Sequence, residues 1–188
     1  MNYMDFSSNN FNPAELARYK RQASPGSFIR GRWADVTAWE GEAFKSRKLW
    51  TKDFPNGITD VGIHYALDRL TDVGSPAAVT WYAGLIDNAS FTGVAAADTS
   101  ASHSGWIENQ DFSESVRQTL GFSAAAARTI SDSVSFSINA TVTIQGLFVI
   151  SESTKGGTTG TLFSTALFSS PPVLVSSNTL TANYALSD

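Results

Sequence analysis

The chain has 188 residues, of which 42% are apolar, and this fits one domain of ordinary size with an extension. It contains no cysteine, which excludes a disulfide framework and a thiolate metal site. Two histidines, His64 and His103, leave little for histidine-based metal or acid–base chemistry. No apolar run reaches the ~18 residues that a membrane span needs, and the first residues lack a secretory signal pattern, so we expect no membrane association.

The net charge of −4 is unevenly distributed. Residues 1–75 hold ten basic and nine acidic residues, whereas residues 76–188 hold three and eight. Within the first part, residues 18–52 carry nine basic and three acidic residues, a local charge of +6. A basic segment joined to an acidic domain can bind an acidic surface by charge complementarity. A basic stretch that is simply solvated is an equally good interpretation.

The first predicted element is a short helix over residues 13–22. Asn12 can cap it, Pro13 fits its first position, and the helix ends before Pro25. Leu16 and Tyr19 are its main apolar side chains. Such a short helix is marginal in water, so we expect it to need a surface to lie on.

Large aromatic side chains follow among charges over residues 27–54, without a clean period of 2 or 3.6. Such a segment cannot form its own core and is usually docked on another surface. We therefore predict an extended, ordered N-terminal arm with a short helix over residues 1–55. The arm could dock on its own C-terminal domain or on a neighbouring subunit. In the second case, the candidate partner-contact residues are Arg30, Arg32, Trp33, Trp39, Phe44 and Trp50.

A second helix is predicted over residues 59–72, within a helical region assigned to 56–75. Ile63, Ala66, Leu67 and Leu70 recur at i, i+3, i+4 and i+7 and would form one apolar face. Thr59 or Asp60 can cap this helix. Gly74-Ser75-Pro76 ends it, and the β domain is predicted to begin at residue 76.

Residues 76–188 are predicted to form an antiparallel β-sandwich or jelly-roll-like domain, which makes the chain mainly β. Two segments alternate cleanly, with Val134, Phe136 and Ile138 facing inward in one and Leu180, Ala182, Tyr184 and Leu186 in the other. Short strands separated by turn signals are typical of a sandwich. The seven predicted strands are 79–86, 116–122, 134–138, 142–151, 162–168, 173–175 and 179–186.

The strongest strand signal is the segment 142–151. Its even positions, Phe148 among them, form an apolar face that we place in the core. The apolar residues at its far end predict burial on both faces, under a second layer or against a partner. Glycines 156, 157 and 160 predict a hairpin return loop. Residues 88–111 are long for a loop, and we expect an ordered excursion with a short helix between Asp98 and Gly105.

Catalytic patterns are weak throughout the chain. Ser, His103, Asp98 and Asp111 could form a triad on paper, but no nucleophile elbow is present. Glu108, Asp111 and Glu114 fit a solvated acidic edge better than a metal or glycosidase site. Lys155-Gly156-Gly157 lacks the phosphate-loop spacing. We therefore expect no enzymatic activity, no catalytic residue, no cofactor, no metal and no nucleic-acid binding.

Three segments resemble a family of small structural proteins of tailed bacteriophages. They are 81–88 (WYAGLIDN), 96–106 (AADTSASHSGW) and the hairpin 146–170, and residues 57–62 (GITDVG) look similar too. Together they run through most of residues 57–186, whereas residues 1–55 fall outside the resemblance.

The resemblance implies a virion component without catalytic residues, and its first implication is a capsid decoration (cement) protein that binds and stabilises the head shell. The alternative is a tail or fibre-attachment adaptor. The expected partners are the major capsid protein or other virion proteins. We also expect a homo-oligomer, with a trimer as the first choice, on the outer capsid surface or, in the alternative, on the tail.

Overall fold

The computed structural model describes residues 30–40, 47–71, 74, 77–126 and 128–187. In these residues the protein is mainly β, with two antiparallel sheets and one helix, and the helix is too short and polar to cross a membrane. In chain order the elements are β1 (Arg30–Glu40), β2 (Arg47–Pro55), β3 (Gly57–Ile58), α1 (Asp60–Thr71), β4 (Trp81–Asp87), β5 (Glu108–Asn109), β6 (Gln118–Leu120), β7 (Thr129–Ser137), β8 (Val142–Ile150), β9 (Leu162–Leu167), β10 (Val173–Leu174) and β11 (Asn178–Ser187).

Each of the seven predicted strands corresponds to a strand of the structure, β4 and β6 to β11, and the second predicted helix corresponds to α1. The predicted helix over 13–22 lies outside the described residues.

The four-stranded sheet has the order β2-β1-β11-β7, and its neighbours are antiparallel. β1 pairs with the last strand of the chain, from Arg30 opposite Ser187 to Glu40 opposite Asn178. This corrects the predicted arm for residues 30–40 and 47–55, which are strands of the same sheet as β7 and β11. The predicted domain boundary at residue 76 therefore does not separate this sheet from the preceding residues.

Bulges explain why β1 and β2 show no period of 2 in the sequence. The register shifts between Ala34 and Thr37 on the β11 side of β1, and again between Ala38 and Trp39 on the β2 side. Asp35, at the first shift, has a φ of 49°, an uncommon conformation for a residue other than glycine. Because each bulge inserts one residue, it moves the side chains that follow it to the other face.

The seven-stranded sheet has the order β3-β9-β8-β4-β5, with β6 also paired to β4 and β10 to β8. β8 is its central strand, with β4 on one side and both β9 and β10 on the other. The β8–β9 pair is the predicted hairpin, closed by the return loop over residues 151–161. Gly156 and Gly160 in this loop have positive φ values of 67° and 78°, conformations that glycine adopts without strain.

A bulge in β8 divides the apolar face that the sequence predicts as continuous. Ile86 lies opposite Gly146 and Asp87 opposite Ile144, so Gln145 is the additional residue. Ile144, Leu147 and Val149 consequently belong to the main hydrophobic cluster, whereas Phe148 and Ile150 belong to a second cluster. Phe148 is buried as predicted, but the prediction of one core face for all even positions is wrong.

The main hydrophobic cluster takes side chains from both sheets. Tyr184 of β11 links them through hydrogen bonds. Its hydroxyl accepts a hydrogen bond from Asn56 Nδ2 at 2.9 Å and is 3.0 Å from the Ser164 hydroxyl on β9. Burial raises the pKa of Tyr184, and these hydrogen bonds oppose the rise. The cluster comprises Trp33, Val36, Ala38, Ala83, Leu85, Phe112, Leu120, Val134, Phe136, Ile138, Ile144, Leu147, Val149, Phe163, Ala166, Phe168, Leu174, Leu180, Ala182 and Tyr184.

The second cluster is closed by the long connection between β4 and β5. Its buried residues are Ile86, Trp106, Phe148, Ile150 and Leu162. Trp106 comes from the connection, and its ring centroid lies 5.2 Å from that of Phe148. The connection thus acts as the second layer that the apolar end of β8 predicts. It consists of turns and bends, so the short helix expected between Asp98 and Gly105 is absent.

Candidate functional site

Three loops meet beside the second cluster, and a buried ion pair joins them. Arg117, just before β6, donates from Nε and Nη2 to the two carboxylate oxygens of Glu108 at 2.9 and 2.8 Å. Their side chains are only 3% and 5% exposed. The same guanidinium donates to the main-chain oxygens of Glu152 and Gly157 at 2.8 and 3.1 Å. One arginine therefore ties strand β5, the segment before β6 and the β8–β9 return loop together.

Lys155 makes a second connection across the same loops. Its ammonium group donates to the main-chain oxygens of Gln110 and Phe112 at 3.1 and 2.6 Å. It also lies 3.6 Å from the centroid of the Phe112 ring, a cation–π distance. Burial lowers the pKa of Lys155, while the carboxylates of Glu114, Glu108 and Asp111 oppose this shift.

Glu152 stabilises the return loop through hydrogen bonds within the loop. Its carboxylate accepts hydrogen bonds from the Thr159 hydroxyl at 2.5 Å and from the Thr154 amide at 2.9 Å. These bonds, that from Thr159 first, lower the pKa of Glu152 from 4.5 to about 2. The ionised carboxylate is thus the form that orders the loop.

A cleft of about 310 Å³ opens beside these loops. Arg117 and Glu108 line its wall, but their polar atoms are engaged with each other and with the return loop. Glu108 also accepts from the Gly156 amide at 2.5 Å. A carboxylate with three such donors is poorly placed to act as a general base. The arrangement suits a rigid support for the loops better than proton transfer.

His103 and Asp98, two members of the triad that the sequence allows, both contact Trp106. His103 Nδ1 lies 3.0 Å from the Trp106 main-chain oxygen, and its ring stacks on the Trp106 indole at a centroid distance of 4.0 Å. Asp98 Oδ2 accepts from Trp106 Nε1 and from the Ala95 amide, each at 2.9 Å. Both side chains therefore shape the loop around Trp106.

The prediction of a solvated acidic edge is wrong for Glu108, whose side chain is buried, although Asp111 is exposed. Glu108 pairs with Arg117, whereas the Glu114 carboxylate accepts a hydrogen bond from the Ser137 amide at 3.1 Å. Among the described residues, no group of three or more His, Cys, Asp or Glu side chains could hold a metal ion.

The candidate partner-contact residues lie in or near the first two strands. The Trp33 side chain is fully buried, with its ring centroid 4.9 Å from that of Tyr184, so it belongs to the chain's own core and is not a free contact residue. Trp50 is half-buried and packs edge-on against Phe168. The half-buried Trp39 donates from Nε1 to the Thr181 hydroxyl at 3.3 Å.

The remaining candidates are basic or lie outside the described part. The Arg32 side chain is exposed, and the Arg30 backbone pairs with Ser187. Phe44 lies outside the described residues. The structure thus places Arg32, Trp33, Trp39 and Trp50 in one sheet, with Trp33 buried and Arg32 exposed.

Sequence reasoning missed Arg117, the residue with the most connections in this region. A signal was present, because residues 76–188 contain only three basic residues, Arg117, Arg128 and Lys155. A cation that is buried needs a carboxylate partner and a hydrogen-bond acceptor for every donor that it turns inward. The few cations of this segment were therefore candidates for such contacts. Two of these three cations hold the same group of loops.

The chain has no significant match among protein-family models, curated proteins or solved structures.

Proposed function

We propose that this chain is a non-enzymatic structural protein of a bacteriophage virion, and that it binds the head shell as a capsid decoration protein. The observation that supports this proposal is where the three resembling segments lie. Residues 81–88 contain β4, residues 96–106 end at Trp106, and residues 146–170 contain strand β9 and most of β8. All three contribute to the second cluster, through Ile86, Trp106 and Phe148 among others. The three segments therefore meet in the second cluster, and two of them, 81–88 and 146–170, also contribute to the main cluster.

The residues of the second cluster contribute packing contacts and no reactive group. They are buried apolar side chains, and the polar groups beside the cluster hold loops in place. A protein whose function is attachment needs a rigid surface and no reactive group. We also infer that the two sheets pack face to face as a sandwich, since residues of both share one cluster.

The attachment surface that we propose is the outer face of the four-stranded sheet. Strands β1 and β2 hold five basic and three acidic residues, whereas residues 76–188 are acidic. Arg32, Arg47 and Lys48 are exposed on these strands, Arg47 in an ion pair with Glu40. This surface would face acidic groups of the major capsid protein, with three copies of the chain arranged around a symmetry axis of the shell.

Copy number in purified particles tests the proposal. We expect on the order of hundreds of copies for a shell protein, because each symmetry axis repeats the site. About a dozen copies or fewer would contradict the decoration role and favour the tail or fibre adaptor. Attachment should also weaken as salt rises, since exposed charges are screened within roughly 10 Å at 0.1 M salt. Absence from particles would contradict both virion roles.

A further inference from the structure

Helix α1 is attached to the sheet by small and polar residues. Thr59 caps it, accepting a hydrogen bond from the Gly62 amide at 3.1 Å and donating to the main-chain oxygen of Leu162. Gly62 lies so close to the Phe163 main-chain oxygen that a side chain at this position would overlap with it. Ala66 packs on the main cluster. The face that the helix turns to the sheet therefore includes Ala66 but not Ile63, Leu67 and Leu70, the large residues of the apolar stripe that the sequence predicts.

The predicted stripe lies mostly in solvent. Ile63 is 37%, Leu67 49% and Leu70 79% exposed. These residues follow one another at i, i+4 and i+7, so they form a continuous ridge along the 12-residue helix. The helix already packs on the sheet through its other face. An additional exposed apolar face indicates a further contact of the helix, because exposing large apolar side chains to water costs free energy.

The start of the described chain lies close to this helix. The Asn56 amide donates to the Gly31 main-chain oxygen at 3.2 Å, and Asn56 precedes the first residue of α1 by four positions. Seven residues, 23–29, join the predicted helix 13–22 to Arg30. They can span about 23–25 Å, whereas α1 is about 18 Å long. The linker is therefore longer than α1, which allows the predicted helix to reach the ridge in the same molecule.

We propose that the segment 13–22 docks as a helix on the Ile63–Leu70 ridge of its own chain. Leu16 and Tyr19 would cover the ridge, and the segment would gain the surface that a short helix needs. Charge favours the pairing modestly, since the segment carries Arg18, Lys20 and Arg21 against Glu15, whereas α1 exposes Asp60 and Asp68 against Arg69. The proposal is independent of the virion assignment.

Crosslinking tests the proposal cleanly because the chain has no cysteine. In the full-length protein, Leu16→Cys is combined with Leu70→Cys and treated with a short bis-maleimide at low protein concentration. We expect a crosslink within one molecule, identified by mass spectrometry of the linked peptides. Adding Tyr19→Asp should abolish it while the melting temperature is retained.

The matched control combines Leu16→Cys with Ser135→Cys, an exposed position on β7. It reports the crosslinking of an untethered segment and should give a yield severalfold lower. Equal yields for the two pairs would overturn the proposal. Crosslinks that occur only between molecules would also overturn it and would identify a second copy as the occupant. The absence of both kinds of crosslink would likewise contradict docking of this segment.

Discussion

Arg117 shows what a single residue contributes to this fold. Its guanidinium is buried, and it bonds to Glu108 through two nitrogen atoms and to two main-chain oxygens of the return loop. A buried ion pair of this kind adds little net stability compared with apolar residues of similar size. Its removal from one side only, however, leaves a charge without a partner in a dry environment. Its role is to select one arrangement of three loops.

A double-mutant cycle measures this coupling. Arg117→Met and Glu108→Gln should each destabilise the protein, and the arginine variant should lose about 3–5 kcal/mol because it leaves the carboxylate buried. The double variant should lose less than the sum of the single losses. Urea unfolding followed by circular dichroism gives the free energies. Strictly additive losses would mean that the two side chains act independently.

Glu152 predicts how stability depends on acid. Its pKa is about 2 in the folded protein and near 4.5 when unfolded, because Thr159 and Thr154 bond to the ionised form. The contribution of this carboxylate is therefore complete above about pH 4.5 and is lost as the pH falls towards 2. Melting temperatures of the Glu152→Gln variant should fall less than those of the native chain over this range. Glu40→Gln, which removes an exposed carboxylate paired with Arg47, is the control for the loss of one acidic side chain. Parallel profiles for the native chain and Glu152→Gln would contradict the prediction.

The strands differ in how well the sequence pattern predicts which side chains face the core. β7 and β11 alternate without bulges, and their inward residues were predictable because period 2 is preserved along their whole length. β1, β2 and β8 contain bulges, so their side chains change face within one strand. The loops around Arg117 were not predictable, since their contacts join residues up to 48 positions apart without a local pattern. The helix α1 was predictable in extent, but the face it buries depends on Gly62.

The packing of β4 against β8 predicts the effect of a small change. Gly84 of β4 lies opposite Phe148 of β8, and a methyl group at this position would overlap with the phenyl ring. Gly84→Ala should therefore destabilise the protein by about 1–3 kcal/mol, because the ring cannot move without displacing Trp106. Gly121→Ala is the matched control, since its nearest neighbour would lie at an ordinary contact distance of 3.7 Å. Equal melting temperatures for the two variants would show that the second cluster adapts easily.

At the scale of the whole molecule, the first strands are inseparable from the last. β1 lies between β2 and β11 and contributes Trp33, Val36 and Ala38 to the main cluster. A chain that begins at residue 56 would lose half of the four-stranded sheet and leave the edge of β11 that pairs with β1 without a partner. The boundary between a dispensable and an essential N-terminal segment therefore lies before Arg30 and not after residue 55.

Two shortened chains test this boundary. Residues 30–188 should give a β-rich spectrum and a cooperative melt, because all strands of both sheets are present. Residues 56–188 should aggregate or melt without cooperativity, since removal of β1 exposes the core residues beneath it. Circular dichroism and calorimetry distinguish the two. A cooperative melt of residues 56–188 close to that of the longer chain would show that the seven-stranded sheet is stable alone.

The pairing of Arg30 with Ser187 also affects how the chain folds. About 150 residues separate the partners of the β1–β11 ladder, and contacts between such distant positions close late because the intervening chain must first be ordered. During synthesis, β1 and β2 leave the ribosome long before β11 exists. Their inner faces must remain exposed or be protected until translation is complete. The rate of production of soluble protein should therefore depend on protection of the nascent N-terminal strands, for example by a chaperone.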